Sequence, residues 1–511
     1  MSIYDLPNEL PSINGAASRY ECVQIVPTSG NLNSVVLGTG NATGLSSFIW
    51  NDSVLWWSPC LSYWRMRVQF TKANATPLLT DYTAYADNFI SLMFQNIKSH
   101  CNSRQIDMID FPHIVDTVMT YSNSKKTFLD SYGSVTHVGE GFQTRLVNTC
   151  SNGGVVEVCF RPPLALMQCK NLPPGAQWKI DFSWAQNQAA LFESLVGDVA
   201  TSTASVPTGQ QFQVKILDFS FFKATTQPSP MVELPQQAVL DLNPAIVNQY
   251  FLNQGGNSLR QTLTLPSTTN TIYVTLQDTN STALATPVLA GTTTTPGVGT
   301  GYNPQTSFAY AVSSGSTSSA NLYAAVLQNL YLNLPELGIQ IPNPTYQFTG
   351  ASGNEWQRAY MDFINISQGT NTASEGSIPL GTYDISAGCA ITSLNAGALL
   401  AQAGNPLNKD QASIFTTAAT ISPMGATAFA PGATTFNQSA RFGWLGRCPG
   451  PIFGFQCVRP ENKAVTTGTL NATFSAAVVN CVFNVICVYS MALQLNHLGG
   501  GLYSYNLLEG V

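Results

Sequence analysis

Four histidines, His100, His113, His137 and His497, are the first residues to weigh for acid–base or metal chemistry. None stands at the spacing of an HExxH helix or a comparable metal signature, so each is read as structural. Eleven cysteines occupy positions 22, 60, 101, 150, 159, 169, 389, 448, 457, 481 and 487. Their total is odd and they include no CxxC pair, so neither a zinc site nor a disulfide framework is signalled; reduced, mostly buried thiols are expected. No GxSxG elbow, Walker loop or GxGxxG turn stands between a strand and a helix, which leaves nucleophilic hydrolysis and nucleotide binding without a motif. A glycosidase would need two carboxylates brought together from separate strands, and Asp181 and Asp218 are the candidates. Both fall at outward strand positions, where a solvated face is the plainer account. Trp50, Trp56, Trp57 and Trp64 could stack on sugar rings, yet Trp64 alternates with apolar neighbours and the group reads as core. The expectation is a chain that is not an enzyme, with no catalytic, cofactor-binding or metal-binding residue and no cofactor.

The remaining composition narrows the partners. With 21 basic and 27 acidic residues the formal charge is −6, which argues against a phosphate-neutralising surface and against specific nucleic-acid binding. Charged residues are only 9% of the chain, against a usual value of about 25%, so much of the surface must be uncharged, as permanent contact with other subunits would require. The opening MSIYDLPNELPSING has neither a basic nor an apolar targeting region, so synthesis and assembly inside a reducing cytosol are expected, without secretion. Seven N-x-S/T sequons, at Asn41, Asn51, Asn74, Asn280, Asn365, Asn437 and Asn471, are then read as unmodified. The apolar run from Phe474 to Leu495 is long enough to cross a bilayer. Its period of two puts Cys481, Phe483, Val485 and Cys487 on one face and Asn480, Asn484, Ser490 and Gln494 on the other, so it is read as one long strand and not a membrane span.

Those 511 residues, 44% of them hydrophobic, can form two or three β-domains. Trp64, Met66, Val68 and Phe70 alternate with Arg65, Arg67 and Gln69, and Trp178, Ile180, Phe182 and Trp184 with Lys179, Asp181 and Ser183. The apolar phase that starts at Phe212, Val214 and Ile216 jumps to Leu217, Phe219 and Phe221, which predicts a β-bulge near Ile216 and Leu217. One-sided strands imply antiparallel sheets packed as sandwiches. Short helices are predicted over Phe111–Tyr121, capped by Asp110, and over Asn354–Ile364, capped by Asn354. Lys223–Pro244 is Pro-rich and reads as a strand-poor connection. The segments Pro163–Cys169 and Pro451–Cys457 look alike, as do Asp181–Ala185 and Thr473–Ala477, which suggests an internal duplication. The expected organisation is an N-terminal arm over 1–20, a first β-sandwich module over 21–226, a connector over 227–257, a second module over 258–495 with long Thr/Ser/Gly-rich loop insertions, and a C-terminal tail over 496–511. Arm and tail are expected to order only against neighbouring subunits.

This succession of strands, short helix and closing strand, repeated about a mid-chain connector, resembles the double jelly-roll major capsid proteins of double-stranded DNA viruses, in the virophage and polinton-like branch. The resemblance lies in Phe94–Ser122, Phe160–Ala185, Asn333–Phe348 and the last strand up to Leu495. It implies an all-β fold of two tandem eight-stranded antiparallel jelly rolls, homotrimers with a six-lobed outline, loops forming towers, and a place in an icosahedral virion beside neighbouring capsomers and penton, minor or cement proteins. The C-terminal portion that some relatives remove on maturation has no evident counterpart in Gly499–Val511. No catalytic or metal residue is implied. Alternatives kept open are a trimeric viral fibre or receptor-binding protein, a carbohydrate-binding β-sandwich protein, and a minor capsid or penton protein.

Overall fold

The computed structural model describes residues 17–28, 36–37, 44–72, 83–85, 89–123, 154–185, 192–194, 212–228, 236–252, 256–278, 310–312, 320–322, 327–348, 358–359, 361–363, 365–366, 452–457, 465–478 and 481–508. The first eight long strands are β1 (Ala17–Ile25), β2 (Leu45–Asn51), β3 (Tyr63–Lys72), β4 (Phe94–Cys101), β5 (Arg104–Asp110), β6 (Val155–Phe160), β7 (Gln177–Trp184) and β8 (Phe212–Pro228). They form two sheets, in the orders β1-β8-β3-β6 and β2-β7-β4-β5. After β9 (Gln237–Leu242) come β10 (Ala245–Leu252), β11 (Gly256–Thr264), β12 (Thr269–Asp278), β13 (Leu327–Leu334), β14 (Ile339–Gln347), β15 (Phe453–Gln456), β16 (Thr467–Val478) and β17 (Cys481–Tyr489). Their sheets run β10-β17-β12-β15 and β11-β16-β13-β14, the same two orders with every label advanced by nine. Each set is an eight-stranded antiparallel jelly roll. A separate sheet, β9-β18-β19, is completed by β18 (Met491–Gly499) and β19 (Leu502–Leu508).

Alternation explains the first sandwich. Trp64, Met66, Val68 and Phe70 of β3 are fully buried and face Ile180 and Phe182 of β7 across the core. Trp64 stacks on Phe221 of β8 with centroids 4.1 Å apart and meets Phe182 edge-on at 5.5 Å. The bulge falls where the phase jump predicts it. Ile216 pairs with Val68 and Asp218 with Arg67, which leaves Leu217 as the extra residue that returns Phe219 and Phe221 to the core. The second core is more aliphatic, built from Leu263, Ile272, Val274, Leu330, Leu470 and Val485 with Phe453, Phe455 and Phe483.

Several expectations are corrected. The run from Phe474 to Leu495 is not one strand. It is parts of β16, β17 and β18, which belong to three different sheets, with a break at Ser490. Asn484 does not face water: β17 lies between β10 and β12, and Asn484 is fully buried, accepting from Gln249 Nε2 at 2.9 Å and donating to Thr275 Oγ1 at 3.2 Å. The Lys223–Pro244 stretch is not strand-poor, since β8 reaches Pro228 and β9 lies in it, and β10 lies in the expected 227–257 connector. Strand β1 begins at Ala17, inside the expected 1–20 arm. The 496–511 tail holds β19, paired along its length with β18, so it orders within its own chain.

Helix α1 (Phe89–Leu92) precedes β4, and α2 (Pro112–Asn123) follows β5. Ile114 and Val118 of α2 are buried as expected. Asp110, however, belongs to β5, and it is Phe111, at φ 53°, whose carbonyl accepts from the Ile114 and Val115 amides. The side chain of Tyr121 lies outside the described residues. Helical turns occur at residues 358–359, 361–363 and 365–366, with Ala359 and Phe363 buried; Asn354, Trp356 and Tyr360 lie outside the described residues. Asp181 and Thr473 fall on corresponding strands β7 and β16, whereas residues 165–168 form a 3-10 turn and 453–456 a strand, so the Pro163/Pro451 likeness does not mark equivalent structure.

Candidate functional site: the seam between the two sandwiches

Asp181 and Asp218 are not brought together. Asp218 lies on the outer face of the β1-β8-β3-β6 sheet, where Arg65 Nη2 reaches it at 2.7 Å and Ser220 Oγ donates to it at 2.9 Å. Asp181 lies on the outer face of the other sheet. Outward positions on two sheets packed about 10 Å apart are too distant for a glycosidase pair. Asp181 is also not solvated as expected: it is 5% exposed, accepts from Ser47 Oγ, and pairs with Lys179 Nζ at 2.7 Å, with His100 Nε2 at 3.4 Å. Burial holds His100 below its ordinary range against the pull of Asp181. His113 is buried at the start of α2 and pushed down to about 4 by burial. His497 packs on Tyr503 with ring centroids 5.0 Å apart, and His137 lies outside the described residues. Among the described residues no three His, Cys, Asp or Glu side chains are grouped to hold a metal ion. No helix among the described residues is long and apolar enough to cross a membrane.

The tryptophans are core, and they lead to a site that the pattern does not announce. Trp50, Trp56, Trp57 and Trp64 are at most 7% exposed. Trp57 makes a two-way backbone pair with Leu172, its N–H donating at 2.8 Å and its carbonyl accepting at 2.7 Å. Leu172 leads into Pro173, Pro174 and Gly175, whose carbonyls and close approach are used by strand β19. The Tyr503 N–H donates to the Pro174 carbonyl at 3.0 Å, and the Tyr505 hydroxyl donates to the Pro173 carbonyl. Tyr503 packs edge-on to Trp56 at 6.1 Å and Tyr505 to Trp178 at 5.3 Å. Gly175, at φ +119°, passes so close that a Cβ there would lie 2.2 Å from the Tyr503 carbonyl oxygen. Burial pushes the Tyr503 hydroxyl up to about 12 and raises Tyr505 well above its ordinary value, so both are neutral donors.

Beside this corner Lys223, 4% exposed, pairs with Asp52, whose carbonyl accepts the Gly175 N–H at 3.2 Å. Strand β9 packs against the 3-10 turn Ala165–Gln168, and β10 lies against β5. That turn is tied to β5 by Asp107, which accepts the Ala165 N–H at 2.9 Å; its burial raises the carboxyl to about 6. The β9-β18-β19 sheet is therefore a clamp across the first sandwich, supplied by chain that precedes and follows the second. Apolar side chains remain exposed elsewhere, including Val23 and Val26 at edge strand β1 and Phe251 at edge strand β10.

No family model matches the chain, and no curated protein matches its sequence. Solved structures do match. The chain is similar to one in the cryo-EM structure of the Sputnik virophage, with 12% identity, 97% of this chain and 90% of that chain covered, and a TM-score of 0.55. It is also similar to the mavirus major capsid protein, at 9% identity, 96% and 90% coverage and a TM-score of 0.49. The Faustovirus major capsid protein follows at 9% identity, 94% and 91% coverage and 0.46. At these identities the likeness is one of fold, and it agrees with the double jelly roll traced strand by strand above.

Proposed function

We propose that this chain is a major capsid protein that assembles as homotrimers and tiles an icosahedral virus shell. The observation that carries the reading is the repetition of one eight-strand order twice within a single chain. Three copies bring six similar sandwiches around a threefold axis, so a trimer gains a pseudo-hexagonal outline able to pack among six neighbours. The fold shared with a Sputnik virophage chain over 97% of this chain supports it. So does the surface: a 9% charged content together with exposed Val26 and Phe251 suits burial between copies, and obligate interfaces bury about 2,000–5,000 Å².

In this reading the chain works by assembly and not by catalysis, in the virion, with neighbouring capsomers and penton and minor or cement proteins as partners. For the two jelly rolls, proposed over 21–226 and 258–495, we adopt wider bounds that take in β1 from Ala17, β8 to Pro228 and β10 from Ala245. The virophage and polinton-like branch is the lineage it fits. A sugar-binding sandwich loses its stacking platform, because the four tryptophans are buried. Size-exclusion chromatography with light scattering on the purified chain is the test: trimers support the reading, and a stable monomer at tens of micromolar concentration overturns it.

A further inference from the structure

The corner that carries the seam also joins two cysteines, Cys60 and Cys169, through a backbone hydrogen bond. Trp57 forms an antiparallel bridge with Leu172, and the chain then enters a 3-10 turn over Pro59–Leu61. In that turn the Cys60 N–H donates to the Cys169 carbonyl at 3.0 Å. This bond bounds the spacing of the two residues. An N–Cα bond of about 1.46 Å and a Cα-to-oxygen distance of about 2.4 Å keep the Cα atoms within roughly 6.9 Å even if all were collinear, and bending shortens that into the disulfide window of about 4.4–6.8 Å. The Cys60 Sγ lies 3.8 Å from the Lys170 carbonyl, so its side chain leans toward the opposite segment. Both residues are partly exposed.

We propose that Cys60 and Cys169 are a modification site, an intramolecular disulfide that closes when the chain meets a small-molecule disulfide oxidant. Cys60 is the entry thiol. Burial raises it, but the Arg161 and Lys170 charges oppose the rise, whereas burial pushes Cys169 up to about 12. The Cys60 thiolate attacks one sulfur of oxidised glutathione and releases one glutathione thiolate, leaving a mixed disulfide. Cys169 gives its proton to solvent, and its sulfur attacks the Cys60 Sγ and expels the second glutathione. Two protein thiols are oxidised and one glutathione disulfide is reduced to two thiols. The bond would close a loop from 60 to 169 and fix the corner on which Tyr503 and Tyr505 rest, with the larger gain that long loops bring. The inference stands on this corner alone and does not depend on the assembly reading.

The test is oxidised glutathione on the full-length chain, followed by alkylation and peptide mass mapping. The expected product is a linked Cys60–Cys169 peptide pair, lighter by about 2 Da than the two reduced peptides. In Cys169→Ser the mixed disulfide cannot resolve, and glutathione stays on Cys60. Exposed Cys22 and Cys159 serve as references that take glutathione singly. Separate alkylation of Cys60 and Cys169, or a persistent glutathione adduct on Cys60 in the unsubstituted chain, overturns the proposal.

Discussion

Replacing Gly175 with alanine probes the seam at its tightest point. The backbone there has φ +119°, a conformation that L side chains adopt at a strain of about 1–3 kcal/mol. The new Cβ would stand 2.2 Å from the Tyr503 carbonyl oxygen and 2.9 Å from its nitrogen, both backbone atoms that no rotamer can move. Relief requires β19 to lift. That breaks the bond from Tyr503 to Pro174, worth about 0.5–1.5 kcal/mol net, and exposes part of a fully buried tyrosine, about 1.5–3 kcal/mol. The expected loss is about 3–6 kcal/mol in the opening free energy of residues 502–508, read by amide hydrogen exchange. Gly338→Ala is the control, because Gly338 also has positive φ, at +66°, but nothing lies within 4 Å of its would-be Cβ. It should show strain alone, about 1–2 kcal/mol at its own turn, and leave β19 protection unchanged. If Gly175→Ala leaves β19 as protected as Gly338→Ala does, the clamp is misassigned.

Three further outcomes follow from buried charge. Asp52→Ala strands the Lys223 ammonium, and chemical denaturation should report about 3–5 kcal/mol lost, while Asp52→Ala with Lys223→Met should recover most of it. Burial raises Asp107 to about 6: its contribution is complete below about pH 4 and is lost as pH rises through about 6, a swing of about 3 kcal/mol from the ordinary 3.8. Asp107→Asn should remove that swing in a stability-versus-pH titration. His113 has the opposite sign, since a value lowered from 6.5 to about 4 gives stability that is present above 6.5 and lost as pH falls through 4. The two nearly offset between pH 4 and 6, so Asp107→Asn should make the chain acid-sensitive over that range, and a flat titration in the variant would refute the assignment.

The fold was legible where one face of a strand is wet. Trp64 to Phe70 and Trp178 to Trp184 alternate because each strand has one buried side, and the phase jump at Leu217 reveals a bulge for the same reason. Alternation fails in β17, where Cys481–Cys487 are all buried, so Asn484, on the face opposite Phe483 and Val485, is covered and held by two neighbours. Buried Asp181 escaped in the same way, because its cover comes from Ser47, Lys179 and His100 on the same sheet. A break at Ser490 leaves no mark in an apolar run. The seam was illegible for another reason: Tyr503 and Trp56 are far apart in sequence, and nothing in either local pattern names the other. Pro173, Pro174 and Gly175 were the available signal, a turn of rigid residues ended by one that tolerates close backbone approach.

Negative-stain electron microscopy of the purified chain tests the central claim most directly, because outline and symmetry report how the sandwiches are arranged. Compact threefold particles with a six-lobed, hexagonal outline are the predicted result. Isolated two-lobed monomers or elongated rods would contradict it.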